Sequence, residues 1–237
     1  MHTTTMRIRP AAELGAADFG WLSSRHTFSF GHYYDPEHLG FRALRVINDD
    51  RVQPGQGFGT HPHRNMEIIS IVVEGALEHK DSLGTGAVIR PGEVQRITAG
   101  TGIQHSEFNP SPSEEVRFLQ IWLEPQQTGL APSYEQRAFA FDEMQNRWRV
   151  VASCDGRDDS VKVHQDVSLY RTQLTEGASV EHSIEPGRQI WIQIIEGRVE
   201  VNGRLLTEGD GVAIEEPGEV VVTGTSDWSD ALLFNLA

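Results

Sequence analysis

His61-Pro62-His63 sets two imidazoles two positions apart, and His105-Ser106-Glu107 sets an imidazole and a carboxylate at the same spacing. Side chains alternate between the faces of a β-strand, so residues at i and i+2 point the same way. His61 and His63 then share one strand face, and His105 and Glu107 share another. If those two strands face each other across a barrel interior, three imidazoles and one carboxylate converge on one point. That donor set suits a first-row divalent metal. On an octahedral ion it leaves two positions open to water, substrate or dioxygen, unlike the closed tetrahedron of a structural zinc site.

The surrounding chain supplies strands to carry these groups. From Phe41–Asp50 to Val116–Leu123 it is a succession of short alternating or apolar runs cut by Gly and Pro: Glu67–Val73, Ala76–Lys80, Ala87–Arg90 and Val94–Thr98. Such spacing and punctuation indicate an all-β antiparallel sandwich or barrel. One short helical piece is expected around residues 16–21. Residues 125–150, with Pro125, Gly129 and Pro132, read as a connector with a helical turn near 141–145. Strand patterns resume at 148–153, 161–163, 168–174, 189–195, 198–201, 211–214, 220–223 and 232–236.

The second half repeats the first. Ile68-Ile69-Ser70-Ile71-Val72-Val73-Glu74-Gly75 aligns with Ile190-Trp191-Ile192-Gln193-Ile194-Ile195-Glu196-Gly197. Two tandem copies of one β-barrel unit follow. Counted back from the shared glycine, His61 and His63 fall opposite Ser183 and Glu185, so only the first copy keeps its donors. One metal site per chain is expected.

Composition removes several classes of function. The 237 residues carry a formal net charge of −14 and only two lysines, Lys80 and Lys162. A nucleic-acid-binding face needs clustered basic residues, so no direct nucleic-acid partner is expected. No apolar run approaches the ~20 residues of a membrane span, and the amino terminus has no apolar core of a signal peptide. The lone Cys154 cannot form an intramolecular disulfide, which points to a reducing, cytoplasmic setting.

The coupled motifs resemble the cupin superfamily, with its His-x-His and later Glu followed by Pro-x-Gly and a further His. Within it, His61-Pro62-His63-Arg64 and Thr98-Ala99-Gly100-Thr101-Gly102-Ile103-Gln104-His105-Ser106-Glu107 resemble the pirin family of bicupins. So do Thr27-Phe28-Ser29-Phe30, Tyr33-Tyr34-Asp35-Pro36 and Leu44-Arg45-Val46-Ile47-Asn48-Asp49-Asp50. The resemblance implies two jelly-roll domains, residues 1–130 with the metal site and 131–237 without ligands. It implies His61, His63, His105 and Glu107 as metal ligands. The general cupin pattern would use Glu67 instead, and Glu67 shares parity with His61 and His63, so strand geometry leaves both carboxylates open.

The resemblance to bacterial pirin-like quercetinases implies a quercetin 2,3-dioxygenase-type reaction, with a flavonol-like aromatic substrate and O2. It favours Fe(II), with Ni, Mn, Co, Cu and Zn as other occupants, and makes Glu107 the candidate catalytic base. The alternative is a metal- or redox-sensing regulatory protein acting through a protein partner, with dioxygenase activity incidental. Phe28, Phe30, Tyr34, Phe58, Met66 and Phe108 are candidates to wall the substrate pocket, Phe30, Phe58, Met66 and Phe108 foremost. His26, His32 and His38 read as polar anchors, with His32 placed to line a pocket mouth. His79, His164 and His182 lack a partner donor at useful spacing.

Overall fold

The computed structural model describes residues 5–237. In chain order the strands are β1 (Met6–Arg9), β2 (Gly15–Asp18), β3 (Leu22–His26), β4 (Leu44–Val52), β5 (Gly57–His63) and β6 (Glu67–Glu74). There follow β7 (Leu77–Asp81), β8 (Gly86–Ile89), β9 (Glu93–Thr98), β10 (Ile103–Phe108), β11 (Val116–Leu123) and β12 (Ser133–Ala138). After the short helix α1 (Phe141–Met144) come β13 (Arg149–Ser153), β14 (Val161–Lys162), β15 (Val167–Thr175), β16 (Ser179–Ile184) and β17 (Gln189–Glu196). The chain closes with β18 (Arg198–Val201), β19 (Arg204–Thr207), β20 (Gly211–Ile214), β21 (Gly218–Gly224) and β22 (Trp228–Leu236).

Two compact units result. One holds residues 15–139 and 161–165; the other holds residues 5–14, 140–160 and 166–237. They interleave, and do not divide at a single cut after residue 130: β1 pairs with β20 of the later unit, Met6 opposite Ile214.

In the first unit a seven-stranded antiparallel sheet runs β12-β9-β6-β11-β4-β3-β2, and a four-stranded sheet runs β5-β10-β7-β8. The second unit repeats the order, with β20-β17-β22-β15 in its large sheet and β16-β21-β18-β19 in its small one. The aligned runs at 68–75 and 190–197 therefore occupy equivalent strands, β6 and β17. β6 is rich in Ile and Val and β17 in Ile, residues that suit a pleated, buried surface, and their apolar residues are buried except for the half-buried Val73. The all-β bicupin architecture expected from the sequence is the one observed.

The interiors differ. In the second unit Val180, Ile184, Val199, Val201, Val220 and Val222 join one continuous aliphatic core. In the first, an apolar core of Leu22, Val52, Val72, Leu77, Ile89, Val116 and Phe118 fills only part of the unit.

Several local expectations fail. Residues 16–21 are not helical: β2 and β3 form a hairpin, with Gly15 opposite His26 and Asp18 opposite Ser23. Its turn is made by Gly20 at φ 79°, whose N–H donates to Asp18 Oδ1 at 2.8 Å. A six-residue stretch is too short for its own helical propensity to outweigh sheet pairing. The connector at 125–150 contains β12, which completes the edge of the large sheet by pairing with β9. The helical turn at 141–145 is present as α1.

Candidate metal centre

β5 and β10 do not face each other across the barrel. They are hydrogen-bonded neighbours in the four-stranded sheet, with His105 opposite His61 and Ile103 opposite His63. The inward face of this strand pair carries all three imidazoles. Ring centroids lie 4.5 Å apart for His61–His105 and 4.8 Å apart for both His61–His63 and His63–His105. One ligand atom from each lies within 4.8 Å of the others.

A register shift between His105 and Glu107 sets Glu107 opposite Phe58, so β5 carries an extra residue in this stretch. Gly57 makes the close approach work: a Cβ there would collide with the Glu107 carbonyl and the Phe108 Cα. Gly100, at φ 46°, sits equally tight against Leu130 before β10 begins.

Glu107 is almost fully buried. Its Oε2 accepts from Gln120 Nε2 at 2.7 Å, and its Oε1 from Gln95 Nε2 at 3.2 Å, with Ser70 Oγ at 3.3 Å. Gln95, Ser70 and Gln120 stand at one register level across β9, β6 and β11. Burial raises the Glu107 pKa above the usual carboxylate range; the nearby His79 ring and the Gln95 bond oppose this without cancelling it. A second donor group, His79, His105 and Glu107, shares His105 with the first.

The imidazoles are arranged as lone-pair donors. His61 Nδ1 lies 2.7 Å from the Gly59 carbonyl. A carbonyl only accepts, so that nitrogen carries the hydrogen and Nε2 is left with its lone pair. His105 Nε2 is buried without a hydrogen-bond partner among the described residues. Burial, with the neighbouring imidazoles, lowers the pKa of His63 to about 4 and of His105 to about 3, so both are neutral at pH 7. Neutral imidazoles with converging, unpartnered nitrogens are the donor chemistry a divalent transition metal takes.

Glu67 is turned away from this group. Its Oε2 accepts from Thr98 Oγ1 at 3.0 Å and the His164 N–H at 3.2 Å, with His164 Nδ1 at 3.3 Å. Parity fails here because β5 ends at His63 and the chain turns through Asn65, at φ 49°, before β6 starts. Strand alternation does not carry across such a turn.

A cavity of about 620 Å³ opens onto His61, His63 and Glu107. Phe30 and Phe58 line it, together with Trp122 and Tyr33. Met66 and Phe108 do not. Met66 packs on the cluster of Ile68, Ile97, Ala99 and Ile103, and Phe108, one residue past Glu107, falls on the other strand face. Phe28 is fully buried and Tyr34 is 73% exposed; neither borders the cavity.

Both His26 and His32 line it. So do Ser24, Asn48, Asp50 and Gln120, which the sequence did not single out, although alternation along Ser24–His26 and Asn48–Asp50 was the available signal. His79, two positions before Asp81 on β7, acquires a role through its contact with His105. Its Nε2 lies 2.9 Å from Asp81 Oδ2 and its Nδ1 3.5 Å from His105 Nδ1.

Comparison with known proteins agrees with this geometry. The family described as Pirin matches residues 7–123, and the family described as Quercetinase C-terminal cupin domain matches residues 150–236. A protein named quercetin 2,3-dioxygenase in Escherichia coli (strain K12) is 49% identical over 229 residues, covering 97% of each chain. The chain is a member of the pirin family.

Among solved pirins and their relatives, the crystal structure of bacterial pirin YhhW from Escherichia coli in complex with nickel(II) superposes with a TM-score of 0.93. It is 48% identical, over 98% of this chain and 99% of that one. The YhaK protein from the same organism, 29% identical, superposes with a TM-score of 0.74 over 94% of this chain and 97% of its own. Among the described residues of this pirin, no helix is long and apolar enough to cross a membrane.

Proposed function

We propose that this pirin is a metal-dependent dioxygenase that opens the central ring of flavonols such as quercetin, with His61, His63, His105 and Glu107 as the metal's ligands. The observation that carries the proposal is the convergence of three imidazoles, of which His61 and His63 line an aromatic-walled cavity, with Glu107 beside them. The names of close relatives point to the same reaction. The sensor alternative gains no support from them.

When bound, a redox-capable divalent ion supplies the Lewis acidity and electron transfer that reaction of a flavonol with O2 requires. Fe(II) is the assignment we adopt; the related YhhW protein has been solved in complex with nickel(II). The chain's own residues do the rest. Phe30, Phe58 and Trp122 receive a flat aromatic ligand and exclude water from around it. Gln120 and Gln95 hold the Glu107 carboxylate in one orientation. Its raised pKa brings it toward the range in which a carboxylate accepts a proton efficiently, here from the flavonol 3-hydroxyl. The lone Cys154, exposed and unpaired, accords with the cytoplasmic setting included in this reading.

The test is O2 uptake with quercetin by protein reconstituted anaerobically with Fe(II) or Ni(II). We expect turnover that is lost on chelation, restored by metal, and lowered at least about a hundredfold in Glu107→Gln. Turnover that survives strict chelation would overturn the assignment.

A further inference from the structure

On the cavity wall beside the imidazoles, β3 and β4 place Ser24 opposite Asp50 and His26 opposite Asn48. All four side chains line the cavity, and all are at least nine-tenths buried. Asp50 Oδ1, Asn48 Oδ1 and His26 Nδ1 have no hydrogen-bond partner among the described residues. Buried polar groups are ordinarily paired, and each one left unpaired opposes folding. Three together, on one face of adjacent strands and open to one cavity, form a recognition surface for a ligand that brings hydrogen-bond donors.

The strip is not part of the network that holds Glu107. The Gln120 side chain, level with Asn48 across β4 and β11, is committed to Glu107 and Ser70. What joins the strip to the imidazoles is a band of aromatic rings. His63 meets Trp122 edge to face at 5.0 Å, Trp122 meets Phe30 at 5.4 Å, and Phe30 meets His26 at 5.3 Å. A flat ligand anchored at the imidazoles and lying along that band reaches the strip with its far end.

We infer that Asn48, Asp50 and His26 form a hydroxyl-recognition subsite that selects polyhydroxylated aromatic substrates, accepting hydrogen bonds from phenolic hydroxyls other than the one held at the metal. The inference rests on the flavonol dioxygenase reading. Asn48 Oδ1 and the unpartnered Asp50 Oδ1 are acceptors, which matches phenol O–H donors. A site built to bond a hydroxyl discriminates strongly against an analogue lacking it, because its own polar groups are then left unpaired.

The test uses the metal-free full chain and two probes: 3-hydroxyflavone, with a single hydroxyl, and quercetin, with hydroxyls on both outer ring systems. Binding is read by quenching of tryptophan fluorescence. We expect the wild type to bind quercetin at least about tenfold more tightly than 3-hydroxyflavone. Asn48→Leu and Asp50→Leu should each close most of that gap, with circular dichroism melts confirming that both fold. Equal affinities for the two probes in the wild type, or a gap that both variants retain, would overturn the subsite. Turnover of quercetin by the metal-loaded wild type is measured in parallel. Selective binding without turnover leaves the subsite standing and removes the dioxygenase reading; turnover without selectivity does the reverse.

Discussion

His79 and His105 meet nitrogen to nitrogen, Nδ1 to Nδ1, at 3.5 Å. The other nitrogen of His79 lies 2.9 Å from Asp81 Oδ2. Burial would raise the Asp81 pKa, but the bond from His79 and the backbone N–H groups of Thr85 and Leu83 hold it below the usual range, so the carboxylate is ionised and accepts. His79 Nε2 then carries a hydrogen, and its Nδ1 offers a lone pair. His105 Nδ1 can donate to that lone pair, which leaves His105 Nε2, buried and unpartnered, as a bare donor atom. One carboxylate thus sets the tautomer of an imidazole two residues removed in the chain of contacts.

Asp81→Asn breaks this relay, because an amide can donate to His79 Nε2 and drive its hydrogen to Nδ1. We expect metal affinity to fall about 10–100-fold, read by competition with a chelator of known affinity. An unchanged affinity would show that Asp81 does not orient His105.

The neutral imidazoles make the metal-free protein acid-sensitive. In the unfolded chain a histidine takes a proton near pH 6.5, whereas burial holds His63 at about 4 and His105 at about 3 in the folded state. Between those values the unfolded state binds more protons. The stability contributed is therefore present above about pH 6.5 and is lost as pH falls toward the folded pKa values. Melting temperatures of metal-free protein from pH 7.5 to pH 5 should show this loss, and His105→Gln should flatten the slope by about one proton. An identical slope in the variant would contradict the assignment.

Asp50 behaves in the opposite sense. Burial pushes its pKa up to about 7, more than the Ser24 hydroxyl beside it lowers it. The folded state holds that proton to higher pH than the unfolded chain, so stability is lost as pH rises from about 4 through about 7. Asp50→Asn removes the penalty. The variant should gain on the order of 3–4 kcal/mol over wild type at pH 8 and little at pH 4, measured by denaturant unfolding of metal-free protein. A gain that is the same at both pH values would rule out a buried, late-ionising carboxylate.

The second unit carries a buried ion pair at its centre. Arg171 Nη2 lies 2.6 Å from Asp230 Oδ2 and Arg171 Nε 3.0 Å from Asp230 Oδ1, with both side chains nearly inaccessible. Asp230→Ala would leave a guanidinium buried without its partner, at a cost of about 3–5 kcal/mol. Thermal unfolding should show the loss, while the metal affinity of the first unit stays near wild type. A change in melting temperature within error would mean that the pair is solvated.

The histidine cluster, the all-β class and the duplication were legible in the sequence because each is written in local pattern. His61, His63 and His105 announce themselves by type and spacing, and the run at 68–75 recurs at 190–197 in an equivalent strand. What lay beyond the sequence was every fact that depends on which strand lies next to which. Alternation says that His61 and His63 share a face, but only pairing shows that β10 lies beside β5 and not across from it. The same limit separates Glu67 from Glu107: the left-handed turn at Asn65 resets the parity that made Glu67 a candidate. The hairpin at residues 15–26 is short-range, but its place at the sheet edge depends on β3 pairing with the distant β4. His26, Asn48 and Asp50 become one wall, and Asp81 the orienter of His105, through contacts whose partners are far apart in the chain. Local spacing determines which way a side chain faces; tertiary pairing decides what it meets, because the hydrogen bonds and packing that bring strands together act between distant segments.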